Sequence, residues 1–450
     1  MHVPALHYNQ HPPDYHDFTL EDTVELRKAL LVWYEQTERK MPWRTPCSET
    51  AVFSSQRAYE VWISEVMLQQ TQVATVIPFY EEWMRQWPTL DKLSTAVVDD
   101  VLKVWSGLGY YSRARRLLEG AVFIKETFGD FPENVDQIRQ IPGVGPYTAG
   151  AVASIAWNKP EPLVDGNVIR VLSRLRAIGL NPKSKEGIAK FWKLAGDVLD
   201  KDRPGHFNQA LMDLGATVCT PLNPTCNACP ISSHCLALKQ QKSAKELIKS
   251  RFFSKKKVKS TPDFECSQCI PYVDLEDVTT LLYPLKVAKK DSKLQEVAVA
   301  VIEIASSSRF LTVQGPETGL LAKLYDFPTS VIDTKAEASS AITGLLENDY
   351  GLKIEGNDVR REFVGTITHI FSHIKRTMHV EHIVLSEEPQ LTTDSKIEWA
   401  LEDDIVSKKL GTPTTARKVL KLLKDHSDGN PKKKRIKTES AKENDAVVID

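Results

Sequence analysis

The chain has 450 residues, 42% of them hydrophobic, enough for two or more domains that each bury a core. A formal net charge of −1 excludes a global basic field of the kind that holds nucleic acid, so any DNA-binding surface has to be local. No run of 18 or more apolar residues occurs, and residues 1–18 carry His, Pro and Asp without an apolar stretch or an Arg-rich amphipathic pattern; the expectation is a chain neither secreted nor membrane-spanning.

A polar tail over residues 1–20 precedes a stretch, 21–238, dominated by helical spacing of apolar residues, such as Leu26, Leu30, Leu31, Trp33 and Tyr34, then Val101, Leu102, Val104 and Trp105. It reads as an all-helical domain. Within it the run Val61 to Val73 holds one carboxylate, Glu65, among apolar and amide side chains. A desolvated glutamate has a raised pKa and can donate a proton near neutrality, although a single Glu on a helix is more often a solvated surface residue. Further on, Ile141 to Ala151 contains a Gly-x-Gly turn, Gly143 and Gly145, between apolar helical sequences. Glycines admit a phosphate to backbone N–H groups, and a helix start at Pro146 adds a favourable dipole; the plainer alternative is a tight turn. Asp165 opens the next helical run, Val164 to Val171, where a helix N-cap is the simple explanation.

Seven cysteines is an odd number, and Cys219, Cys226, Cys229 and Cys235 crowd into C-x6-C-x2-C-x5-C with Pro221, Pro224 and Pro230 between them. That is too tight for an ordinary disulfide framework and reads as a metal centre in a reducing compartment, with zinc and an iron–sulfur cluster both open from ligand softness. Residues 239–293 bring a basic run (Lys249, Arg251, Lys255 to Lys257, Lys259) and little periodicity, as in a connector, with a second and weaker C-x2-C at Cys266 and Cys269. From 294 to 427, short β-rich runs (Val297–Ile302, Phe310–Val313, Met378–Leu385) alternate with helical stretches near 336–347 and 414–423, an α+β domain. The tail 428–450 is charged and without a hydrophobic pattern, so the reading leaves it disordered. Its basic cluster Pro431 to Lys437 is of the nuclear-localisation type, which makes the nucleus the expected address without excluding a mitochondrial pool.

Taken together, the Gly-x-Gly hairpin and Asp165 resemble the endonuclease III superfamily of helix-hairpin-helix DNA glycosylases. The runs Pro42-Trp43-Arg44, Val61 to Val73, Trp105 to Arg113 and Val164 to Val171 resemble its adenine glycosylase (MutY) branch. The fold implied is multidomain: an all-α helix-hairpin-helix glycosylase domain with an iron–sulfur cluster loop, then an α+β MutT-like (Nudix-fold) domain. The resemblance implies excision of adenine mispaired with 8-oxoguanine or guanine in duplex DNA, by flipping the base out of the stack. Glu65 would protonate the adenine, Asp165 would stabilise the sugar cation or bond to it, and Tyr147 and Asn167 would orient the groups around them, much as paired carboxylates act in glycoside hydrolysis. Backbone-cutting relatives carry a Schiff-base lysine where this chain has Tyr147, so a monofunctional reaction is expected. Gln70 and Tyr110 would probe the duplex, and Gly143, Gly145 and Arg44 would help hold it.

By the same resemblance the four-cysteine loop, 219–235, would bind a [4Fe–4S] cluster. Animal members of the family carry a connector zinc site of three cysteines and an N-terminal histidine; here His16, Cys266 and Cys269 fit, and one cysteine is missing. Phe371-Ser372-His373 matches the loop that reads 8-oxoguanine, through stacking, a hydrogen bond and a base or phosphate contact. The carboxylates that bind Mg²⁺ in true Nudix hydrolases are largely absent from Gly344 to Leu352, which argues against nucleotide hydrolysis. The connector is a candidate dock for a checkpoint or sliding clamp, although Phe252-Phe253 lacks the glutamine and aliphatic residue of a sliding-clamp peptide. A monomer is expected. The competing readings are a bifunctional glycosylase/lyase of the same fold and a non-catalytic lesion-binding protein.

Overall fold

The computed structural model describes residues 11–12, 14–49, 52–252, 266–270, 275–287, 292–319, 321–354, 359–371, 373–392, 396–407 and 410–427. Its helices in chain order are α1 (Leu20–Thr37), α2 (Ser55–Leu68), α3 (Val73–Gln86), α4 (Leu90–Ser94), α5 (Val98–Trp105), α6 (Ser112–Thr127), α7 (Val135–Ile138), α8 (Pro146–Trp157), α9 (Gly166–Leu175), α10 (Lys185–Val198), α11 (Pro204–Thr217) and α12 (Leu236–Phe252). Strands β1 (Lys293–Ile304), β2 (Arg309–Gln314), β3 (Tyr325–Asp326) and β4 (Thr329–Ile332) follow, then α13 (Ala338–Tyr350), β5 (Val359–Ile370), β6 (Ile374–Leu385), β7 (Ile397–Leu401), α14 (Glu402–Val406) and α15 (Thr414–Ser427). None of the described helices is long and apolar enough to cross a membrane.

Chain contacts divide the molecule into two compact units, one built from residues 11–80 and 123–287, the other from 81–122 and 292–427. Residues 81–122, which belong to the helical stretch in sequence, are grouped by their contacts with the sheet-bearing unit. The segment read as an aperiodic connector begins inside α12, which continues the chain as helix to Phe252 before the undescribed residues start.

In the first unit α1, α8, α9, α10 and α11 share one core, in which Leu26, Leu30, Tyr34, Ile169, Leu172, Phe191, Phe207 and Leu211 are fully or almost fully buried. Each large apolar side chain removed from water there contributes about 1.5–3 kcal/mol before conformational entropy is set against it. Helix α2 buries Tyr59, Val61, Trp62, Ile63, Val66 and Met67, and of its two carboxylates Glu65 is carried inside with them while Glu60 stays part-exposed beside Arg57. Close approach of α9 to α11 requires Gly215, since a Cβ there would stand 2.7 Å from Cβ of Asn167.

The second unit is a mixed sheet with strand order β3-β2-β1-β6-β5, β4 pairing with β1 and β7 with β2. Strands β1 and β6 are parallel and the other pairs antiparallel. The run Val297–Ile302 is apolar without alternation because both faces of β1 are covered: Val297, Val299 and Val301 meet Ala416, Val419 and Leu420 of α15, while Ala298, Ala300 and Ile302 meet Ile342 and Leu346 of α13.

Candidate active site and metal-binding side chains

The starts of α8 and α9 and the interiors of α2 and α11 converge on a cavity of about 600 Å³ lined by, among others, Arg44, Glu65, Gln70, Tyr147, Asp165, Asn167 and Arg170. Glu65, in α2, is 5% exposed and accepts a hydrogen bond of 2.5 Å from the Tyr147 hydroxyl. Tyr147 is delivered by the glycine hairpin: Gly143 has φ of 81°, open to glycine without a steric cost, Gly145 caps α8, and Pro146 occupies its first turn. Burial pushes the Glu65 carboxyl above its ordinary range and the nearby Asp165 charge adds to this, while the Tyr147 hydrogen bond and the Arg44 guanidinium oppose it. Burial likewise raises the Tyr147 phenol far above its usual value, so it stays a neutral donor.

Asp165 takes the N-cap position that its sequence context suggests and also lines the cavity. It caps α9, accepting from Val168 N–H at 2.7 Å, a bond worth about 1 kcal/mol to a helix, and its other oxygen accepts from Asn167 Nδ2 at 2.8 Å inside the cavity. Burial raises its carboxyl, partly offset by those two hydrogen bonds and the Arg170 charge. Arg170 in turn donates from Nη2 to Asn167 Oδ1 and to the Gly215 carbonyl, both at 2.7 Å, and from Nε to the Cys219 carbonyl at 2.7 Å.

Sequence reading missed Asp213 and Arg39. Asp213 is 2% exposed in α11 and binds Arg44 through both its oxygens, at 2.7 and 3.0 Å, and also Arg39. Burial would raise the Asp213 carboxyl, but the hydrogen bonds and charges of the two arginines hold it below its usual range. Arg44 is therefore a cavity-wall charge clamped by a carboxylate, also lying 5.9 Å over the Tyr34 ring. The available signal for Asp213 was of the kind that surrounds Glu65, a carboxylate among apolar and amide side chains within a helix.

Gln70 and Tyr110 are both exposed, and both have left-handed backbones, φ of 55° and 47°, unusual for residues with a side chain. Phe371 is half-buried, its ring edge-on to His369 at 4.5 Å and under the Arg376 guanidinium at 5.2 Å; His373 is exposed, and Ser372 lies outside the described residues.

Cys219, Cys226, Cys229 and Cys235 all line one small cavity of about 30 Å³, with Leu214, Ile231 and Leu238 among its apolar walls. Arg174 reaches this group from α9, its Nη1 lying 3.3 Å from Cys219 Sγ, and its carbonyl lies 3.3 Å from Cys235 Sγ. Four sulfurs around one apolar cavity, with a guanidinium on one of them, suit a cluster of iron and sulfide.

The second set is tighter. His11, His16, Cys266 and Cys269 offer ligand atoms all within 4.8 Å of one another. His16 Nε2 stands 3.5 and 3.3 Å from the sulfurs of Cys266 and Cys269, and His11 Nε2 stands 3.2 Å from Cys269 Sγ. Each ring turns Nδ1 to a backbone carbonyl, His16 to Arg176 at 2.7 Å and His11 to Pro12 at 3.0 Å. That arrangement fixes the tautomer whose Nε2 lone pair faces the sulfurs, as metal-binding histidines require. His11 thus stands where the sequence pattern lacks a cysteine; its only signal was a place five residues before His16.

Residues 63–196 match the family described as HhH-GPD superfamily base excision DNA repair protein, and residues 298–422 match a NUDIX domain. Over 436 residues the chain is 39% identical to the adenine DNA glycosylase of Mus musculus, covering 93% of this chain and 82% of that protein. It is 39% identical over 432 residues to that of Homo sapiens, covering 92% and 77%. Among solved structures it is similar to a thermostable thymine-DNA glycosylase, with 26% identity and a TM-score of 0.43 over 49% of this chain and 98% of that one.

Proposed function

From the fact that this chain belongs to the adenine DNA glycosylases, enzymes of base excision repair, we propose that it removes adenine paired with 8-oxoguanine or guanine by hydrolysis of the N-glycosidic bond, without cutting the strand. The observation that carries this reading is the buried Glu65–Tyr147 hydrogen bond, in one cavity with Asp165 and Asn167. A flipped adenine in that cavity takes the Glu65 proton on a ring nitrogen, the C1′–N bond breaks with its electron pair going to the base, and the Asp165 carboxylate faces the sugar cation until water adds. Tyr147 keeps the Glu65 proton directed, and Asn167 holds Asp165. No lysine is among the described residues lining the cavity, which supports a reaction with no Schiff base.

Phe371, Ser372 and His373 are the residues we assign to reading the oxidised base, the cation-backed Phe371 ring offering a stacking face. Cys219, Cys226, Cys229 and Cys235 would hold a [4Fe–4S] cluster, which supplies a rigid cross-link of the loop that carries them. His11, His16, Cys266 and Cys269 would hold Zn²⁺, a tetrahedral two-nitrogen, two-sulfur set of the structural type. Residues 431–437 address the chain to the nucleus, and the connector is the candidate site for a checkpoint or sliding clamp; both lie wholly or partly outside the described residues.

The test is base release from duplexes holding A opposite 8-oxoguanine, A opposite G and C opposite 8-oxoguanine, scored before and after alkali, with Glu65→Gln and Ser372→Ala alongside. Adenine release that needs alkali for strand scission, is abolished by Glu65→Gln and loses lesion preference in Ser372→Ala supports the reading. Scission without alkali overturns the monofunctional assignment, and binding with no release at all replaces the enzyme by a lesion-binding protein.

A further inference from the structure

The loop Ser106–Tyr111, between α5 and α6, is held in an unusual form. Gly107, Gly109 and Tyr110 all take positive φ, 101°, 79° and 47°, so three of four consecutive residues are left-handed and the only one with a side chain among them is Tyr110, 42% exposed. A tyrosine backbone does not rest there unaided. From inside, Trp105 Nε1 donates to the Gly109 carbonyl at 2.9 Å and Arg113 Nη2 donates to the same oxygen at 3.2 Å, while the Arg113 guanidinium stacks 5.2 Å from the Trp105 ring and 5.4 Å from the Tyr110 ring.

The remaining support comes from a distant part of the chain. Thr412, fully buried, presents its backbone carbonyl to this loop, where it accepts from Ser106 Oγ at 2.9 Å and from the Tyr111 hydroxyl at 3.1 Å. The Tyr111 oxygen also accepts from Gly107 N–H at 3.1 Å, so one phenol ties the left-handed turn to residue 412. Thr412 is itself fixed: its hydroxyl donates to the Ile405 carbonyl at 3.0 Å, and the preceding Gly411 carbonyl accepts from Tyr325 N–H of β3 at 2.9 Å. A further strut runs from Arg115 Nη1 to the Ala322 carbonyl, 2.8 Å. These contacts lie within the compact unit that residues 81–122 share with the sheet, whose strand β5 leads into Phe371.

We propose that Tyr111 and Ser106, gripping the Thr412 carbonyl, are positioning residues through which the C-terminal domain presents Tyr110 to the duplex. The proposal rests on the reading of Tyr110 as a residue that enters the stack. It makes the lesion-reading domain and the probing tyrosine parts of one unit, so that duplex engagement by Tyr110 depends on the C-terminal domain even where that domain touches no base. The tertiary link also explains why a phenol is needed at 111: phenylalanine fills the same volume but can neither accept from Gly107 nor donate to Thr412.

The experiment uses the full chain and a duplex in which 8-oxoguanine faces a 2′-fluoro adenine nucleotide that resists excision, with 2-aminopurine beside it to report unstacking. Tyr111→Phe and Ser106→Ala are each expected to weaken binding by about fivefold to tenfold and to dim the 2-aminopurine signal, while the single-turnover excision rate at saturating enzyme moves by less than about twofold. In a Tyr110→Ala background the same substitutions are expected to add nothing, because they act through that side chain. Additive losses in that background, or wild-type binding and fluorescence by both Tyr111→Phe and Ser106→Ala, would overturn the proposal. Wild-type binding and fluorescence by Tyr110→Ala itself would instead remove the reading beneath it. Thermal unfolding of each variant separates a loosened loop from a destabilised domain.

Discussion

Arg170 and Asn167 are joined by a 2.7 Å hydrogen bond that makes them successive links between Cys219 of the four-cysteine loop and Asp165 in the cavity. On one side the Arg170 Nε holds the Cys219 carbonyl; on the other the Asn167 amide holds Asp165. Because each bond uses a different nitrogen of a rigid guanidinium fork, a lysine cannot reproduce them together.

Arg170→Lys is accordingly expected to lower the single-turnover excision rate by about 10- to 100-fold, by leaving Asp165 imperfectly aimed, with duplex affinity changed far less. Rapid-quench kinetics under saturating enzyme, paired with a binding titration, measure the two separately. An unchanged rate would mean that the Val168 N–H bond alone positions Asp165.

The pH profile of excision carries the state of Glu65. As general acid it has to be protonated, and burial raises its pKa, so the alkaline limb is expected above the ordinary glutamate range near about pH 4.3. The Tyr147 hydrogen bond stabilises the ionised form and therefore lowers this pKa. Tyr147→Phe removes it, and the limb should move to higher pH even as the maximal rate falls. A limb moving downward would show that Tyr147 protects the protonated acid.

Stability falls over the same rise in pH as activity, but replacing Glu65 should move the two in opposite senses. The Glu65 pKa is raised in the folded chain, so ionisation of the unfolded chain begins first, and the cost to the fold accumulates from about pH 4 upward until the folded pKa is passed. Glu65→Gln escapes that cost. Its Tm is expected to match the parent near about pH 4 and to exceed it by about 2–4 °C at neutrality, each pKa unit of elevation being worth about 1.4 kcal/mol. Differential scanning calorimetry across this range checks it, and a neutral-pH Tm below the parent's would contradict it.

Metal content tests the histidine and cysteine set directly. Elemental analysis of purified protein is expected to give about one zinc per chain, lost in His11→Ala and largely kept in His11→Cys, since a thiolate can take the same corner of a tetrahedron. Cobalt substitution should show charge-transfer intensity for two thiolates in the parent and three in His11→Cys. Zinc retained at full stoichiometry in His11→Ala would leave His16, Cys266 and Cys269 as the set, with His11 outside it.

Much of this molecule was legible along the chain. Glu65 and Asp165 were singled out by the resemblance of the runs around them, since a lone helical glutamate and a helix N-cap each have a plain structural explanation, whereas the apolar run Val297–Ile302 marked a β-strand by itself. The four cysteines between 219 and 235 were close enough in sequence for their spacing to anticipate that they line one cavity. What sequence could not supply were relationships between residues far apart in number, because nothing local records them. Asp213 became a clamp on Arg44 only when α11 packed beside the loop after α1, 169 residues away. His11 became a ligand candidate only because the N-terminal segment and the Cys266–Cys269 knuckle meet, 258 residues apart. The loop carrying Tyr110 sits within helical sequence, yet its support comes from Thr412, and so its membership of the C-terminal unit was decided by a buried carbonyl that no residue pattern could announce. Local spacing sets which face of an element is apolar; which elements then share that face, and which buried polar groups must find one another there, is settled only when the chain closes on itself.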